Sequence, residues 1–413
     1  MSGSLAGSSV PLVRLGEWYS SLDTAPAPAP GLPELSMAPE ILVRSDARRL
    51  RSRAAVPVPD RASRVEILSR ALELYLRGDV EVGAEVGAEV QSPEDFKTLM
   101  WQAAGLSEVL VDRWSGMLVD ELAGLHQQAA SQEPDAADGV RIGLVWLPGN
   151  TFTCLIAVLE TALSGAAVWV RPSTREPYSA LRLVSAMLQA GWPRELVGFY
   201  PCAQSVLRPL IAVTDRQIVY GGADVCAALR DVPSAVLRGP LRVCAVVPQN
   251  ADAESAAAWL APLIASDSGR FCTAVRAVLC LGEPDTIAKA LASRLDAIPF
   301  APSDPDLPLA AFPRRDRAAA LAASVEGMLG AGDIRLTARP VLGSHDGTAF
   351  LAPTLFLLEG REDAAWDDPA LMGYEAPFPV ASVLAVTSQQ AETLTAGADV
   401  VHRMPAADSW SVR

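Results

Sequence analysis

The chain is predicted to fold into two α/β domains, the first of which is doubly wound. An apolar run over residues 141–147 is followed by an apolar helix and a second apolar run over 166–170. Near-continuous apolar segments are typical of parallel strands buried on both faces, and strand, helix and strand in that order form a right-handed βαβ unit. The same alternation resumes after residue 243, and 413 residues exceed what one simple core holds. A ligand of the first domain is expected beyond the carboxyl ends of its strands.

The other elements are predicted from apolar spacing and from turn residues. We expect a poorly packed Pro- and Ala-rich arm over 1–60, with a strand near 40–43, and a loop or weak helix over 81–90. Helices are predicted over 62–76, twice within 93–131, and over 151–163, 177–190, 253–266 and 283–295. Strands are predicted over 196–200, 216–220 and 241–247 and near 334–340 and 349–358, with a loop-rich portion before the last two.

The composition argues against several functional classes. Half of the residues are hydrophobic, the formal net charge is −14 and no basic block is present, so nucleic acid is not expected as the main partner. No apolar run reaches the roughly 18 residues of a membrane-spanning helix. The N-terminus lacks the basic and apolar regions of a signal peptide. We therefore expect a cytoplasmic protein without a membrane span.

Cysteine usage draws attention to one residue. The six cysteines contain no CxxC pair and only three histidines are present, so neither a disulfide framework nor a metal site is expected. Cys272 follows Gly269, which permits a tight turn, and lies two residues after Arg270, whose charge favours the thiolate. The apolar segment 274–280 would hold this thiol on a rigid element. Because most unpaired cysteines are inert core residues, the local sequence leaves both interpretations open.

Seven short motifs follow one another between residues 140 and 380. They are Pro148-Gly-Asn150, Arg171-Pro-Ser173, Ala190-Gly-Trp-Pro193, Val219-Tyr-Gly-Gly222, Gly269-Arg-Phe-Cys272, Ala352-Pro-Thr354 and Glu375-Ala-Pro-Phe-Pro-Val380. Their order resembles that of the aldehyde dehydrogenase superfamily, and within it the LuxC-type acyl-CoA reductase branch. The resemblance implies an aldehyde-dehydrogenase-like α/β fold. A flexible arm over 1–60 would precede a Rossmann-type NAD(P)-binding domain over 61–242 and an α/β catalytic domain over 243–413.

The resemblance also implies a thiol-based mechanism. Cys272 would be the nucleophile that attacks an aldehyde or thioester carbon. The side-chain amide of Asn150 and the backbone N–H of Cys272 would stabilise the oxyanion that forms. The structural alternative for Asn150 is a helix N-cap, a position that asparagine fills well.

The cofactor-binding residues that the resemblance implies are Pro148, Arg171, Ser173, Gly221, Gly222 and Glu375. Gly221 and Gly222 would face the pyrophosphate at a helix N-terminus, although a tight turn also explains both glycines. Arg171 would lie near the adenosine ribose and, with Thr174 in place of an acid, favours NADP over NAD; a solvated arginine at a strand end is the alternative. Glu375 would bind the nicotinamide ribose, and its alternative is a surface carboxylate in a loop.

One departure from the family pattern bears on the reaction. The family's water-activating glutamate lies in a stretch whose counterpart here is residues 236–242, which contain no carboxylate. Hydrolysis of an acyl-enzyme needs a base to activate water, whereas its reduction by hydride does not need one to the same degree. Leu237-Arg-Gly-Pro240 also resembles a Gly-Pro-Arg segment of the LuxC-type reductases. We therefore predict NAD(P)H-dependent reduction of an acyl thioester, supplied by acyl-CoA or an acyl carrier protein, to an aldehyde.

Two alternatives stay open. The first is oxidation of an aldehyde, with Glu375, Glu362 or Asp363 as the base. The second is a catalytically inactive relative that acts as a partner or scaffold, which Arg238 and the short segment after Val380 suggest. The superfamily carries substrate-site and oligomerisation elements in that last segment. The resemblance therefore implies a homo-oligomer, and the shortness of the segment weighs against it.

Overall fold

The computed structural model describes residues 9–53, 56–83, 89–128, 140–359, 364–366 and 370–405. The chain divides into two compact units. Unit 1 comprises Met1–Ala104 and Val111–Gly239, and unit 2 comprises Gly105–Leu110 and Pro240–Arg413. In the described part of the chain, no helix is both long enough and apolar enough to cross a membrane.

Strands and helices alternate through most of the first 239 residues. The strands are β1 Leu12–Arg14, β2 Glu17–Tyr19, β3 Thr24–Ala25, β4 Leu35–Ser36, β5 Val80–Val82, β6 Glu89–Gln91, β7 Ile142–Trp146, β8 Ala167–Arg171, β9 Val197–Phe199, β10 Arg216–Tyr220 and β11 Ala235–Arg238. The helices are α1 Glu40–Arg51, α2 Arg61–Arg77, α3 Pro93–Ala104, α4 Glu108–Gln128, α5 Ile156–Leu163, α6 Tyr178–Gln189, α7 Leu207–Val213 and α8 Ala223–Leu229.

Unit 1 is built on a seven-stranded sheet in the order β11-β10-β7-β8-β9-β1-β2. Neighbouring strands from β11 to β9 are parallel, and β1 joins β9 in the antiparallel sense. Every residue of β7 is buried, which confirms the prediction of a strand covered on both faces. The chain order reverses at β7, because β8 and β9 extend the sheet on one side and β10 and β11 on the other. This is the doubly wound arrangement, and its switch point lies between β7 and β10.

The N-terminal segment is well packed, which corrects the expectation of a loose arm. Leu12 and Val13 of β1 are fully buried, and the strand expected near 40–43 is the first turn of helix α1. That prediction was wrong because the buried positions recur with the period of a helix, at Leu42, Val43, Ala47 and Leu50. Where a loop or weak helix was expected over 81–90, β5 and β6 pair as an antiparallel hairpin, and residues 84–88 between them lie outside the described residues.

Unit 2 repeats the alternation on a second sheet. Its strands are β12 Val243–Val247, β13 Ala277–Cys280, β14 Ala311–Phe312, β15 Ile334–Arg335, β16 Leu342–His345, β17 Thr348–Leu351, β18 Thr354–Leu358, β19 Val380–Ala385 and β20 Val400–Arg403. Its helices are α9 Ala253–Ala265, α10 Asp285–Ala297, α11 Arg315–Glu326 and α12 Ser388–Ala396. Six strands form the main sheet in the order β15-β18-β19-β13-β12-β20, and a smaller sheet has the order β14-β17-β16.

Three details of unit 2 differ from the prediction. The strand expected near 334–340 comprises only two residues, Ile334–Arg335. Helix α11 lies in the portion expected to be rich in loops, where its many alanines provide helix propensity without a strong apolar pattern. The strand expected over 349–358 is two strands, β17 and β18, which meet at Ala352-Pro353. Proline cannot donate a hydrogen bond to a strand ladder, so a single strand does not continue through it.

Candidate active site

Cys272 lies in a turn between helix α9 and the central strand β13. A short 3₁₀ segment, Ser266–Gly269, follows α9, and three of its residues have positive φ: 53° at Asp267, 58° at Ser268 and 61° at Gly269. Left-handed backbone costs non-glycine residues about 1–2 kcal/mol each. The buried Ser268 hydroxyl accepts a hydrogen bond of 2.9 Å from the backbone N–H of Ala310, which helps to hold the strained turn. Such strain is common next to reactive groups.

Gly269 is required at this turn for two reasons. Its φ is positive, and a Cβ placed on it would lie 2.6 Å from the backbone nitrogen of Pro379. The turn before Cys272 therefore packs directly on the backbone that enters β19. Because β13 and β19 are neighbours in the sheet, Cys272 and Glu375, each five residues ahead of its strand, lie at the same amino-terminal edge.

Three ionisable side chains influence one another at this edge: Cys272, Arg276 and Glu375. Burial raises the pKa of the half-buried Cys272 thiol, and the Glu375 carboxylate raises it further. The backbone N–H groups of Cys272 and Thr273 and the Arg276 cation act in the opposite direction on the same pKa. Burial also raises the pKa of Glu375, against a lowering by Arg276. The thiol is thus mainly protonated at neutral pH.

The cation that favours the Cys272 thiolate is Arg276, not Arg270 as expected from the sequence. The Arg270 guanidinium donates to the carbonyl oxygen of Ala311 at 3.2 Å and lies over the ring of Phe312. Burial lowers the pKa of Arg276 to about 10, so it stays charged at neutral pH. The prediction of a buried segment after the thiol is confirmed: it contains strand β13, all of whose residues are buried.

In unit 1, the other predicted residues follow three neighbouring parallel strands. Pro148 and Asn150 follow β7, Ser173 follows β8, and Gly221 and Gly222 follow β10. Carboxyl ends of parallel strands meet at one edge of a sheet, so these residues share the edge at which the switch point opens. The expectation that a ligand binds at this edge of unit 1 rests on the position of these residues after β7, β8 and β10.

The motifs after β7 and β8 are in direct contact. A Cβ on Gly149 would lie 2.4 Å from Ser173 Oγ and 2.8 Å from Arg175 Nε. Only glycine fits there, which brings the exposed Arg175 against the loop that carries Asn150. The N-cap alternative for Asn150 does not hold, because Phe152 and Leu155 occupy the cap positions of the following 3₁₀ segment and of α5.

Arg171 lies at the end of β8, but its side chain is engaged within the unit. The guanidinium stacks over the ring of Trp146 at 3.9 Å and donates to the carbonyl oxygen of Cys202 at 3.0 Å. Gly221 is explained by packing, since a Cβ there would lie 2.6 Å from a methyl group of Val225. Gly222 caps α8, and a Cβ on it would meet nothing within 4 Å, so packing does not account for this second glycine.

A profile of the aldehyde dehydrogenase family matches residues 150–391, which is more than half of the chain. This chain belongs to the aldehyde dehydrogenase family. The match covers both the edge of unit 1 that carries Asn150 and the edge of unit 2 that carries Cys272 and Glu375. It confirms the resemblance at the level of the superfamily and places the chain among oxidoreductases that act on aldehydes.

Solved structures support the same aldehyde dehydrogenase fold. An aldehyde dehydrogenase from Bacillus cereus is 16% identical, with a TM-score of 0.73 over 96% of this chain and 88% of that one. An NAD-dependent benzaldehyde dehydrogenase from Corynebacterium glutamicum is 17% identical, with a TM-score of 0.70 over 97% and 95%. An NADP-dependent glyceraldehyde-3-phosphate dehydrogenase from Bacillus halodurans is also 17% identical, with a TM-score of 0.70 over 96% and 90%. No curated protein sequence matches significantly.

Within this aldehyde dehydrogenase fold, sequence reasoning missed the positions of Arg175 and Arg276. Both arginines stand next to motifs that were recognised, but their surroundings depend on segments that are distant in the chain. The segment 236–242 is strand β11 and the turn after it, and Arg238, the residue that ends β11, is exposed and pairs in register with Tyr220. In the described part of the chain, no group of His, Cys, Asp and Glu is placed to hold a metal ion.

Proposed function

We propose that this chain reduces an acyl thioester to an aldehyde with NADPH or NADH, as in the LuxC-type acyl-CoA reductase branch. The observation that carries the proposal is the lack of a carboxylate over residues 236–242, where the oxidising members of the family hold their water-activating glutamate. Arg238 stands in this stretch instead. Without a base for water, an acyl-enzyme is not hydrolysed efficiently and persists long enough to be reduced.

The reaction assigns a role to each residue of the two edges. The Cys272 thiolate attacks the carbonyl carbon of an acyl-CoA or of an acyl group on a carrier protein, so that a new C–S bond forms while the original one breaks and the departing thiolate takes up a proton. The Asn150 amide and the Cys272 backbone N–H stabilise the negative charge on the carbonyl oxygen. Cys272 leaves again when the aldehyde is released.

The edge of unit 1 has the properties that a dinucleotide needs. Gly222 leaves open space at the start of α8, Gly149 permits close approach after β7, and the exposed Arg175 supplies positive charge. Pro148, Ser173, Gly221 and Gly222 would hold the cofactor there, and Glu375 would bind its nicotinamide ribose. When bound, the nicotinamide supplies hydride to the carbonyl carbon. Structural neighbours named as NAD-dependent and NADP-dependent enzymes support this class of cofactor.

The residue that favours NADP over NAD is proposed to be Arg175. Arg171 was the candidate from the sequence, but its guanidinium is occupied by Trp146 and the Cys202 carbonyl. Arg175 is exposed at the same edge, and Thr174 beside it presents no carboxylate to repel a 2′-phosphate. We assign the predicted NAD(P)-binding domain to unit 1 and the catalytic domain to unit 2.

One observation favours a second candidate function, oxidation of an aldehyde. Glu375 lies close enough to raise the pKa of the Cys272 thiol, and its own pKa is raised by burial. A carboxylate with a raised pKa is a suitable general base. The other two carboxylates considered for this role, Glu362 and Asp363, lie outside the described residues.

Intact-mass measurement separates these functions. Wild type and Cys272→Ala are incubated with a panel of acyl-CoAs, with and without NADPH, and Cys280→Ala serves as the control because its thiol is buried in β13. We expect an acyl adduct on wild type and Cys280→Ala only, which NADPH discharges to an aldehyde. Discharge to free acid without NADPH would favour the oxidising function. If no donor forms an adduct on the folded protein, the chain is better described as an inactive partner or scaffold.

A further inference from the structure

Arg276 is a buried cation whose hydrogen-bond acceptors are backbone carbonyls. Only 2% of the residue is exposed. Nη2 donates to the carbonyl oxygens of Gly269 at 2.8 Å and Ala376 at 3.1 Å. Nη1 donates to those of Phe378 at 3.3 Å and Val380 at 3.4 Å. One guanidinium thus joins the turn before Cys272 to the segment that follows Glu375.

We propose that Arg276 is a positioning residue that ties the Cys272 turn to residues 376–380. It thereby keeps the nucleophile and the Glu375 carboxylate at a fixed distance and orientation relative to each other. This inference rests on the proposed function for the identity of the nucleophile. The two tied segments are about a hundred residues apart in the chain and meet only because β13 and β19 are neighbours. Each reactive residue is within three positions of a carbonyl that Arg276 holds.

The chemistry of the contact requires arginine. Four carbonyls on two segments are reached from two nitrogens of a planar fork that has five N–H donors in a fixed geometry. A lysine has the same charge but only three donors on one nitrogen, which cannot span both segments. The close approach of Gly269 to Pro379 adds a second contact between the same two segments.

The charge of Arg276 also favours the ionised forms of Cys272 and Glu375, because it lowers the pKa of both groups. The ionisable groups that interact with this cation are Glu375, Cys272 and Tyr374. Arg270, the other buried arginine of the turn, faces Ala311 and Phe312. The two arginines are therefore a suitable pair for comparison. Both are buried and within four residues of Cys272; Arg276 donates to carbonyls of the segment after Glu375, and Arg270 donates to the carbonyl of Ala311.

Hydrogen exchange in the ligand-free protein tests the tie. In Arg276→Lys, which keeps the charge, we expect amide exchange to rise about tenfold or more in both 267–272 and 376–380. In the control Arg270→Lys, the rise is expected in 267–272 and 310–312 and not in 376–380. An increase in Arg276→Lys that is uniform over unit 2, or confined to 267–272, would overturn the proposal.

The pH dependence of Cys272 alkylation tests the charge, with peptide mass spectrometry to follow this thiol alone. Arg276→Met should move the midpoint upward and lower the thiolate fraction about tenfold at pH 8, equivalent to one pKa unit. Arg276→Lys and Arg270→Met should keep the midpoint of wild type. An unchanged midpoint in Arg276→Met would reject a role for the charge, and if that variant does not fold, the exchange data on Arg276→Lys decide. Neither test needs an acyl donor or nicotinamide, so a failure of the proposed function is recognised separately, by the absence of an acyl adduct.

Discussion

At the scale of single residues, Glu375 and Arg276 place opposite charges next to one thiol. Burial and the carboxylate raise the pKa of Cys272, whereas Arg276 and two backbone N–H groups lower it. The net effect is a thiol that is mostly protonated at neutral pH. In the proposed reaction a proton must therefore leave Cys272 before the attack, and Glu375 is the carboxylate whose charge acts on this thiol.

The variant Glu375→Gln should lower the pKa of Cys272, because it removes the negative charge that opposes the thiolate. If the pKa falls by about one unit, the thiolate fraction below the pKa rises about tenfold. Intrinsic nucleophilicity falls by about threefold in the same step, so we expect alkylation at pH 7.5 to be about threefold faster.

The control for this prediction is Glu392→Gln, which removes the same formal charge from an exposed position on α12. At a pH above both thiol midpoints the order should reverse, and Glu375→Gln should react about threefold more slowly than wild type, because only the lower intrinsic nucleophilicity of its thiolate remains. A slower reaction at pH 7.5 would instead identify Glu375 as the base that accepts the thiol proton.

At the scale of elements, the turn Ser266–Gly269 joins backbone strain to close packing. Gly269→Ala should destabilise the protein by about 3 kcal/mol or more, because left-handed backbone and a clash with Pro379 add together. Gly347→Ala is the matched control: Gly347 has φ of +79° at the tip of the β16–β17 hairpin, and a Cβ there would meet nothing within 4 Å.

For Gly347→Ala we expect only the backbone cost of about 1–2 kcal/mol. Urea unfolding of the two variants beside wild type measures both values. Equal losses would mean that the contact of Gly269 with Pro379 contributes nothing to stability.

The same turn marks the limit of what the sequence predicts about elements. Strands β7, β8 and β12 could be predicted because continuous apolar runs are typical of buried parallel strands. Asp267 and Ser268 give no compositional sign of positive φ, which they adopt because Ser268 and Gly269 are held by Ala310 and Pro379. The partner of Arg276 could not be predicted either, since its acceptors are carbonyls of a distant segment.

At the scale of the whole molecule, the order of the motifs was enough to identify the family. The contacts and charges of single side chains could be assigned only once the fold was known. Arg171 was correctly placed at the end of β8, but contacts with the Trp146 ring and the Cys202 carbonyl oxygen fix the position of its guanidinium. Arg175 belongs to none of the recognised motifs. It becomes a candidate for cofactor binding only because Gly149 allows it to lie at the edge beside β7.

Cofactor binding should be visible as stabilisation of the folded chain. A ligand at 100 times its Kd adds about 2.7 kcal/mol to the free energy of unfolding, and a tenfold weaker ligand adds about 1.4 kcal/mol less. For Arg175→Ala we expect NADPH binding to weaken about tenfold while NADH binding is unchanged. Urea unfolding in the presence of each cofactor measures this stabilisation. The control is Arg208→Ala, which removes an exposed arginine from α7.

Equal weakening of both cofactors in Arg175→Ala would show that the arginine contacts a group common to NADPH and NADH. No weakening of either would remove Arg175 from the cofactor-binding residues.

Cys272 and Glu375, to which we assign roles in the proposed reaction, stand at the amino-terminal edge of the parallel strands of unit 2, which leaves the opposite edge available for engineering. The turn that follows β12, residues 248–252, carries the exposed Gln249 and Asn250 and none of the proposed catalytic residues. Exposed loop tips of this kind accept inserted sequences most readily. A fluorescent reporter or an affinity handle joined at Asn250 would therefore follow strand β12, at the edge of the sheet opposite to Cys272.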